Sequence, residues 1–164
     1  MRYEAIRPDI KSGDVLAWSH KKWNSFYDLQ VQAVRFFTQS EYCHVGIAWV
    51  TSGRVYVIEA VSPFVRIFPL SKLLPFYYIR TSNYWTPEIE EFANSKIGEP
   101  YSKKQAILAF LNKLKNGDDA NWECAELVVK ILSDGKILDI NTQSTPSNVV
   151  LELQKKDYPM YLIE

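Results

Sequence analysis

The sequence predicts an α+β fold in which an antiparallel sheet, open or curved into a half-barrel, packs against helices. Two observations support this class. Strand-like runs of β-branched and aromatic residues dominate the first half of the chain, and segments with helix-capping residues dominate the second half. The chain has 164 residues, 47% of them hydrophobic, which is enough for one core, so we expect a single domain over residues 1–164.

The first half predicts a strand, a helix and then a run of four strands. After a polar leader, Gly13 and Asp14 form a turn into the strand VLAWS at residues 15–19, and Asn24 caps a helix over residues 25–38. The four strands that follow are separated by segments with turn-forming residues, so we expect an antiparallel meander. These strands cover residues 44–50, 55–61, 65–70 and 76–81.

Two helices are predicted at the start of the second half. Thr86 with Pro87 begins the first, which ends before Gly98. Ser102 and Gln105 form a capping box that begins the second.

A third helix is predicted from near Asn121 to about Ser133, with Cys124 close to its start. Thr145 and the proline after it begin a fourth helix, and the final residues 160–164 predict a closing strand.

The composition argues against several classes of partner. Nineteen acidic and 19 basic residues cancel, so we expect no nucleic acid partner. No run approaches the roughly 18 apolar residues of a membrane span, and the N-terminus lacks an apolar signal sequence. We therefore expect no integral membrane segment and a cytoplasmic location, unless a phage or a secretion system delivers the protein. The two Cys and two His have no metal-ligand spacing, and no phosphate-binding glycine loop is present, so we expect no metal and no cofactor.

A histidine and a glutamate lie in neighbouring predicted strands. If the hairpin between these strands turns over residues 51–54, His44 and Glu59 become diagonal neighbours on one face, with Gly46 leaving open space beside them. A three-residue loop would remove this arrangement. A carboxylate beside an imidazole fixes its tautomer and favours the imidazolium. Taken alone, such a pair is better explained as two polar groups that satisfy each other on a sheet.

Cys124 near a helix start changes that interpretation. The free N–H groups of a helix N-terminus favour a thiolate and can bind a developing oxyanion. A thiol, an imidazole and a carboxylate together make an activated cysteine nucleophile. Cys43 is the rival thiol, but strand neighbours point to opposite faces, so we expect Cys43 to face away from His44 and pack in the core. His20 lies in a charged loop, which leaves His44 as the candidate base. With so few cysteines in a domain of this size, we expect both thiols to be reduced.

Through these residues the sequence resembles the permuted papain-like amidases of the NlpC type, in the YaeF and YiiX branch. The resemblance covers most of the chain, and the order and spacing of the segments carry it. In ordinary papain-like enzymes the cysteine precedes the histidine; here His44 precedes Cys124, as the permutation requires. The similar segments are SGDVLAWS (12–19), TQSEYCHVGIAWV (38–50), VYVIEAV (55–61), VRIFPLSKLL (65–74), KIGEPYS (96–102), WECAELV (122–128) and STPSNVV (144–150).

The resemblance implies a papain-like fold and a set of roles. Cys124 would be the nucleophile, His44 the general base and later acid, and Glu59 the orienting third member. Tyr101 would line the substrate site near the thiol. Asp14 is a weaker candidate, for a structural or site-edge role.

Other positions of these segments qualify the resemblance. Glu126 matches the glutamate of the nucleophile motif, but its position on the helix indicates a structural role. Cys43 and Ala125 stand where the family usually has Ser, and Ser102 stands where it has Asp. These departures affect the shape of the pocket and none of the three catalytic candidates.

The resemblance implies a cysteine hydrolase that cleaves an amide bond, in a peptide, an isopeptide or a peptidoglycan stem peptide, through a thioester intermediate. An acyltransferase or thioesterase acting on lipid acyl groups stays open, because the lecithin:retinol acyltransferase-like branch shares the order of His before Cys. The Asn-Cys-Glu-His-Phe motif of that branch is absent from WECAEL. The third alternative is a catalytically silent binding module, against which the intact Cys124, His44 and Glu59 weigh.

Overall fold

The computed structural model describes residues 1–19, 41–81, 84–101, 124–140 and 144–164. Its described residues form an α+β fold on one six-stranded antiparallel sheet, which confirms the predicted class. Three predictions fall outside these ranges: the helix over residues 25–38, the helix that begins at Ser102, and the charged segment around His20.

The strands in chain order are β1 (Val15–Ser19), β2 (Tyr42–Thr51), β3 (Arg54–Val61), β4 (Phe64–Pro69), β5 (Phe76–Ile79) and β6 (Met160–Ile163). Their spatial order is β4-β3-β2-β1-β5-β6. The meander is therefore confirmed for β2 to β4 and wrong for β5, which pairs with β1 on the opposite side of the sheet. A 3₁₀ turn at Leu70–Lys72 follows β4, and the chain crosses to β1 before it re-enters the sheet. The closing strand at the C-terminus is confirmed as β6, which pairs with β5.

The described helices are α1 (Tyr3–Ile6), α2 (Pro87–Ser95), α3 (Cys124–Asp134) and α4 (Pro146–Lys155). Both predicted threonine caps are present. Thr86 Oγ1 accepts the backbone N–H of Ile89 at 3.4 Å, and Thr145 Oγ1 accepts that of Asn148 at 3.2 Å. None of the helices in the described ranges combines the length and apolar character that a membrane crossing requires.

The hairpin of β2 and β3 has the predicted register. Ser52 and Gly53 have φ values of 49° and 70°, as a two-residue hairpin turn requires, and Val50 pairs with Val55. The expected open space at Gly46 is absent. A Cβ built there would lie 2.5 Å from Cγ2 of Val57, so this glycine permits close packing of β2 and β3.

The sheet separates two apolar clusters. Along β1, Val15 and Ala17 belong to the first cluster, which includes the buried faces of α3 and α4. Leu16 and Trp18 belong to the second cluster, on which α1 packs. This alternation follows from the two-residue period of a strand. The N-terminal segment is more than a polar leader, because its apolar residues Tyr3, Ile6 and Ile10 are buried in the second cluster.

Asp14 is fully buried just before β1 and joins the turn that contains it to the segment around β5. Its Oδ2 accepts the backbone N–H of Lys11 at 2.8 Å and the hydroxyl of Tyr78 at 2.9 Å. Its Oδ1 accepts the backbone N–H of Thr81 at 2.9 Å. A buried carboxylate is stable only when such donors satisfy it. These contacts give Asp14 a structural role, one of the two that the sequence leaves open.

Replacing Asp14 with Asn should lower the free energy of unfolding by about 2–3 kcal/mol. An amide nitrogen cannot accept a hydrogen bond, so at least one of the three donors loses its acceptor. Urea unfolding followed by fluorescence measures the change. Thr145→Ala, which removes one helix cap, is the comparison and should cost about 1 kcal/mol. An Asp14→Asn effect no larger than that of the cap would contradict the role assigned to this carboxylate.

Candidate active site

His44 lies beside an irregularity in β2. It pairs with Trp18 of β1, and the next pair joins Tyr42 to Ser19, so Cys43 is an extra residue on β2. This is a β-bulge, a feature that often lies next to active sites because it changes the direction of side chains. Its effect is visible in the core, where Tyr42 and Val45 both belong to the first cluster although three positions separate them.

His44 and Glu59 are in direct contact, as the hairpin register predicts. His44 Nε2 lies 2.7 Å from Glu59 Oε2, and the Glu59 side chain is only 2% exposed. The His44 side chain is 21% exposed, so the imidazole is within reach of solvent. A nearly buried carboxylate therefore holds one ring nitrogen of a partly accessible histidine.

Arg66 of β4 binds the other oxygen of the same carboxylate. Its Nε and Nη2 lie 2.9 Å and 2.7 Å from Glu59 Oε1. Burial opposes ionisation of Glu59, but the hydrogen bonds and positive charges of His44 and Arg66 lower the pKa of Glu59 below its ordinary value. Arg66 is not among the site residues that the sequence predicts. The available signal was a single charged residue within the otherwise apolar strand VRIFPL.

Cys124 is the first described residue of α3, and its thiol lies near His44. Its side chain is close enough to the imidazole to interact with it. Because Nε2 of His44 is engaged by Glu59, Nδ1 is the ring nitrogen left for the thiol. Cys124 is 9% exposed and belongs to the first cluster. The structure thus brings together the three residues that the sequence singled out.

The surroundings of His44 favour its protonated form. Burial alone would lower the pKa of His44, but its interactions with Cys124 and with the Glu59 carboxylate raise the pKa well above its ordinary value. A protonated imidazole beside a carboxylate is able to stabilise the thiolate that forms when a neighbouring cysteine is activated.

Trp18 forms one wall of this arrangement. Its ring centroid lies 5.2 Å from that of His44, and its Nε1 donates a 2.8 Å hydrogen bond to the carbonyl of Leu73, which fixes the indole. Trp18 belongs to the second cluster and Cys124 to the first, so His44 lies where the two clusters meet. The sequence predicts a strand at Trp18 but no role for it in the site.

The remaining candidates lie around this centre. Cys43 is half-buried against the second cluster, and its Sγ donates to the carbonyl of Trp18 at 3.3 Å. It packs in the core as expected, but strict alternation with His44 is interrupted by the bulge. Tyr101 is half-buried against the first cluster, and its backbone N–H bonds to the carbonyl of Pro63 at 2.9 Å. Its place near the thiol stays a prediction. Both cysteines are free thiols.

The comparisons with known proteins rest on structure. No protein-family model matches the chain, and no curated protein matches it in sequence. A solved structure that does match is the crystal structure of the metalloprotein YiiX from Escherichia coli O157:H7, a DUF1105 protein, with a TM-score of 0.55 and 21% sequence identity. The match covers 77% of this chain and 66% of that chain, so this chain spans just under two thirds of its neighbour. The two proteins share a fold, in agreement with the YiiX branch that the sequence resembles.

Replacing Glu59 with Gln should destabilise the protein by about 2 kcal/mol or more at neutral pH, because it leaves His44 and Arg66 without their shared anion. The pKa of Glu59 is lowered in the folded state, so its contribution is complete above the unfolded value of about 4.3 and is lost as the pH falls through the folded value. Urea unfolding at a series of pH values should therefore show that the difference in free energy of unfolding between Glu59→Gln and the unmodified protein becomes smaller in acid.

Glu152→Gln is the control, since Glu152 is paired with Lys155 at the surface and should change stability by less than about 0.5 kcal/mol at any pH. A Glu59→Gln difference that is constant from neutral to acid pH would contradict an ionised Glu59.

Proposed function

We propose that the protein is a cysteine hydrolase that cleaves an amide bond through a thioester intermediate. The observation that supports this most strongly is the imidazole of His44, which binds the Glu59 carboxylate through Nε2 and also interacts with the Cys124 thiol. A His–Glu pair with a purely structural role would not require a neighbouring thiol. A cysteine that only fills space in the core would not require a neighbouring imidazole. All three together, at the start of a helix, match the requirements of nucleophilic catalysis.

In the proposed reaction, Nδ1 of His44 accepts the thiol proton and Cys124 attacks the amide carbonyl carbon. The carbonyl oxygen gains a negative charge, which free N–H groups in the first turn of α3 stabilise. The C–N bond then breaks, and the imidazolium gives its proton to the departing amine. His44 next removes a proton from water, the hydroxide attacks the thioester, and the carboxylic acid leaves as the thiol is restored.

Glu59 has an orienting role in this scheme. By accepting the Nε2 proton of His44, it leaves Nδ1 as the basic nitrogen that faces the thiol. It also compensates the positive charge that forms on the imidazole during attack. We place Tyr101 in the substrate-binding part of the same site, on the resemblance of its segment, and take the substrate to be peptide-like.

A metal is not part of the proposal, although the neighbouring structure is that of a metalloprotein. Within the described part of the chain, no group of three or more His, Cys, Asp or Glu side chains is arranged to hold a metal ion. Both oxygens of Glu59 already bind His44 and Arg66, so the carboxylate does not fit a ligand role beside Cys124. The proposed reaction therefore uses side chains and backbone N–H groups of this chain.

In a Cys43→Ser background, replacing His44 with Gln should slow alkylation of Cys124 by iodoacetamide at neutral pH by about tenfold or more, because the imidazole no longer accepts the thiol proton. Intact-protein mass spectrometry gives the rate. The Cys43→Ser, Cys124→Ala protein should remain unlabelled and identifies the reporting thiol. Equal rates with and without His44 would rule out the proposed base.

Hydrolysis should be detectable on a panel of acylated compounds that present the same peptide as an amide, an ester or a thioester, and Cys124→Ala should abolish it, a loss of at least about a thousandfold. The proposal expects amide cleavage and an acyl adduct on Cys124 that hydroxylamine removes. Turnover of the ester and thioester without the amide would instead favour the acyl-transfer alternative. No adduct on any compound, despite a reactive Cys124, would favour the silent binding module.

A further inference from the structure

We propose that Arg66 is a positioning residue of the site, which holds the Glu59 carboxylate in the one orientation that directs His44 toward Cys124. This inference rests on the proposed function, and it extends the site by one residue on a strand that the catalytic candidates do not occupy. The observations that carry it are the register of three strands, the contacts of one carboxylate and the surroundings of one guanidinium.

Strand register places these groups in a row. Glu59 of β3 is paired directly with Arg66 of β4, and His44 of β2 lies diagonally from Glu59 on the other side. His44 itself is paired with Trp18 of β1. The row therefore runs across four adjacent strands, with the carboxylate between the two positively charged groups.

Each oxygen of the carboxylate has a separate partner. Oε2 faces His44 Nε2 at 2.7 Å, while Oε1 receives both Nε and Nη2 of Arg66 at 2.9 Å and 2.7 Å. Rotation of the carboxyl group would break contacts on both sides at once. Two donors from a planar guanidinium also fix direction more strictly than one ammonium group would.

The guanidinium is itself held in place. Arg66 Cζ lies 4.5 Å from the centre of the Phe68 ring, two residues along β4 on the same face. The Arg66 side chain is 38% exposed and Glu59 is 2% exposed, so the charge sits at the edge of the buried carboxylate. An arginine in this place is well suited to orient Glu59 from the solvent side.

The chemical consequence concerns the tautomer of His44. A neutral imidazole carries its proton on either Nδ1 or Nε2, and only the Nε2–H tautomer leaves Nδ1 free to accept the thiol proton. A fixed, ionised Glu59 selects that tautomer. Without Arg66, burial favours the neutral form of the Glu59 carboxyl group, and the group is also free to rotate. The preference for the Nε2–H tautomer of His44 then weakens.

The test is ¹⁵N NMR of the imidazole ring in a Cys124→Ala background, where no thiol is present beside the histidine. The chain has two histidines, so assignment is simple. At a pH where His44 is neutral, we expect the Nε2–H tautomer in the Cys124→Ala protein, a shift toward Nδ1–H with added Arg66→Gln, and a similar shift with added Glu59→Gln. Arg54→Gln is the matched control, an exposed arginine at the start of β3, and should change nothing.

Arg66→Lys keeps the positive charge but replaces the planar guanidinium with a single ammonium group, so we expect a tautomer ratio between those of the Cys124→Ala protein and of the added Arg66→Gln variant. It also serves as the second variant if Arg66→Gln does not fold. In the protein with Cys124 intact, Arg66→Gln should lower kcat for amide hydrolysis about tenfold with KM changed less than about twofold. An unchanged tautomer in both Arg66 variants, or an equal shift in Arg54→Gln, would overturn the inference.

The NMR measurement needs no turnover, which separates this inference from the proposed function. If the tautomer responds to Arg66 but no amide is cleaved, Arg66 positions the pair and the proposed function fails. If amides are cleaved and the tautomer does not respond, the proposed function stands and the role of Arg66 is overturned.

Discussion

The buried carboxylate of Glu59 sets the requirements that the rest of the site meets. An ionised carboxyl group removed from water is stable only with charged or hydrogen-bonding partners on both oxygens. His44 supplies one and Arg66 the other, and each comes from a strand beside β3. The position of Glu59 in the middle of a three-strand meander is what makes both partners available. The same charge then favours a protonated imidazole next to the thiol.

A second buried carboxylate, Asp14, stabilises the part of the sheet around β1 and β5. It joins the turn before β1 to Tyr78 and Thr81 at the end of β5, and so ties together the two strands that place Trp18 behind His44. The two acids differ in their partners. Both oxygens of Asp14 accept hydrogen bonds from neutral donors, in keeping with a structural role. Glu59 binds charged partners, in keeping with its proposed role of compensating the positive charge that forms on His44.

The features predicted correctly from sequence are those that depend on nearby residues. A two-residue turn at Ser52 fixes the register of β2 and β3, and with it the contact between His44 and Glu59. Threonine caps mark the starts of α2 and α4. The features missed depend on distant pairing. Placing β5 beside β1 requires a crossing over the sheet, which no local pattern specifies. Arg66 joins the site only through the pairing of β3 with β4, and Trp18 only through that of β1 with β2.

At the bulge, the presence of a residue at position 43 matters more than the identity of its side chain. The thiol of Cys43 donates to the carbonyl of Trp18, a contact that a serine hydroxyl could also make, in keeping with the Ser that the similar family usually has there. The extra backbone unit has no such substitute, since it lets Tyr42 and Val45 enter the same cluster from an irregular spacing. Position 43 is therefore tolerant of exchange and intolerant of deletion. Removing one residue would change the face that Tyr42, the β2 residue before the bulge, occupies, while changing the identity of the residue leaves His44 paired with Trp18.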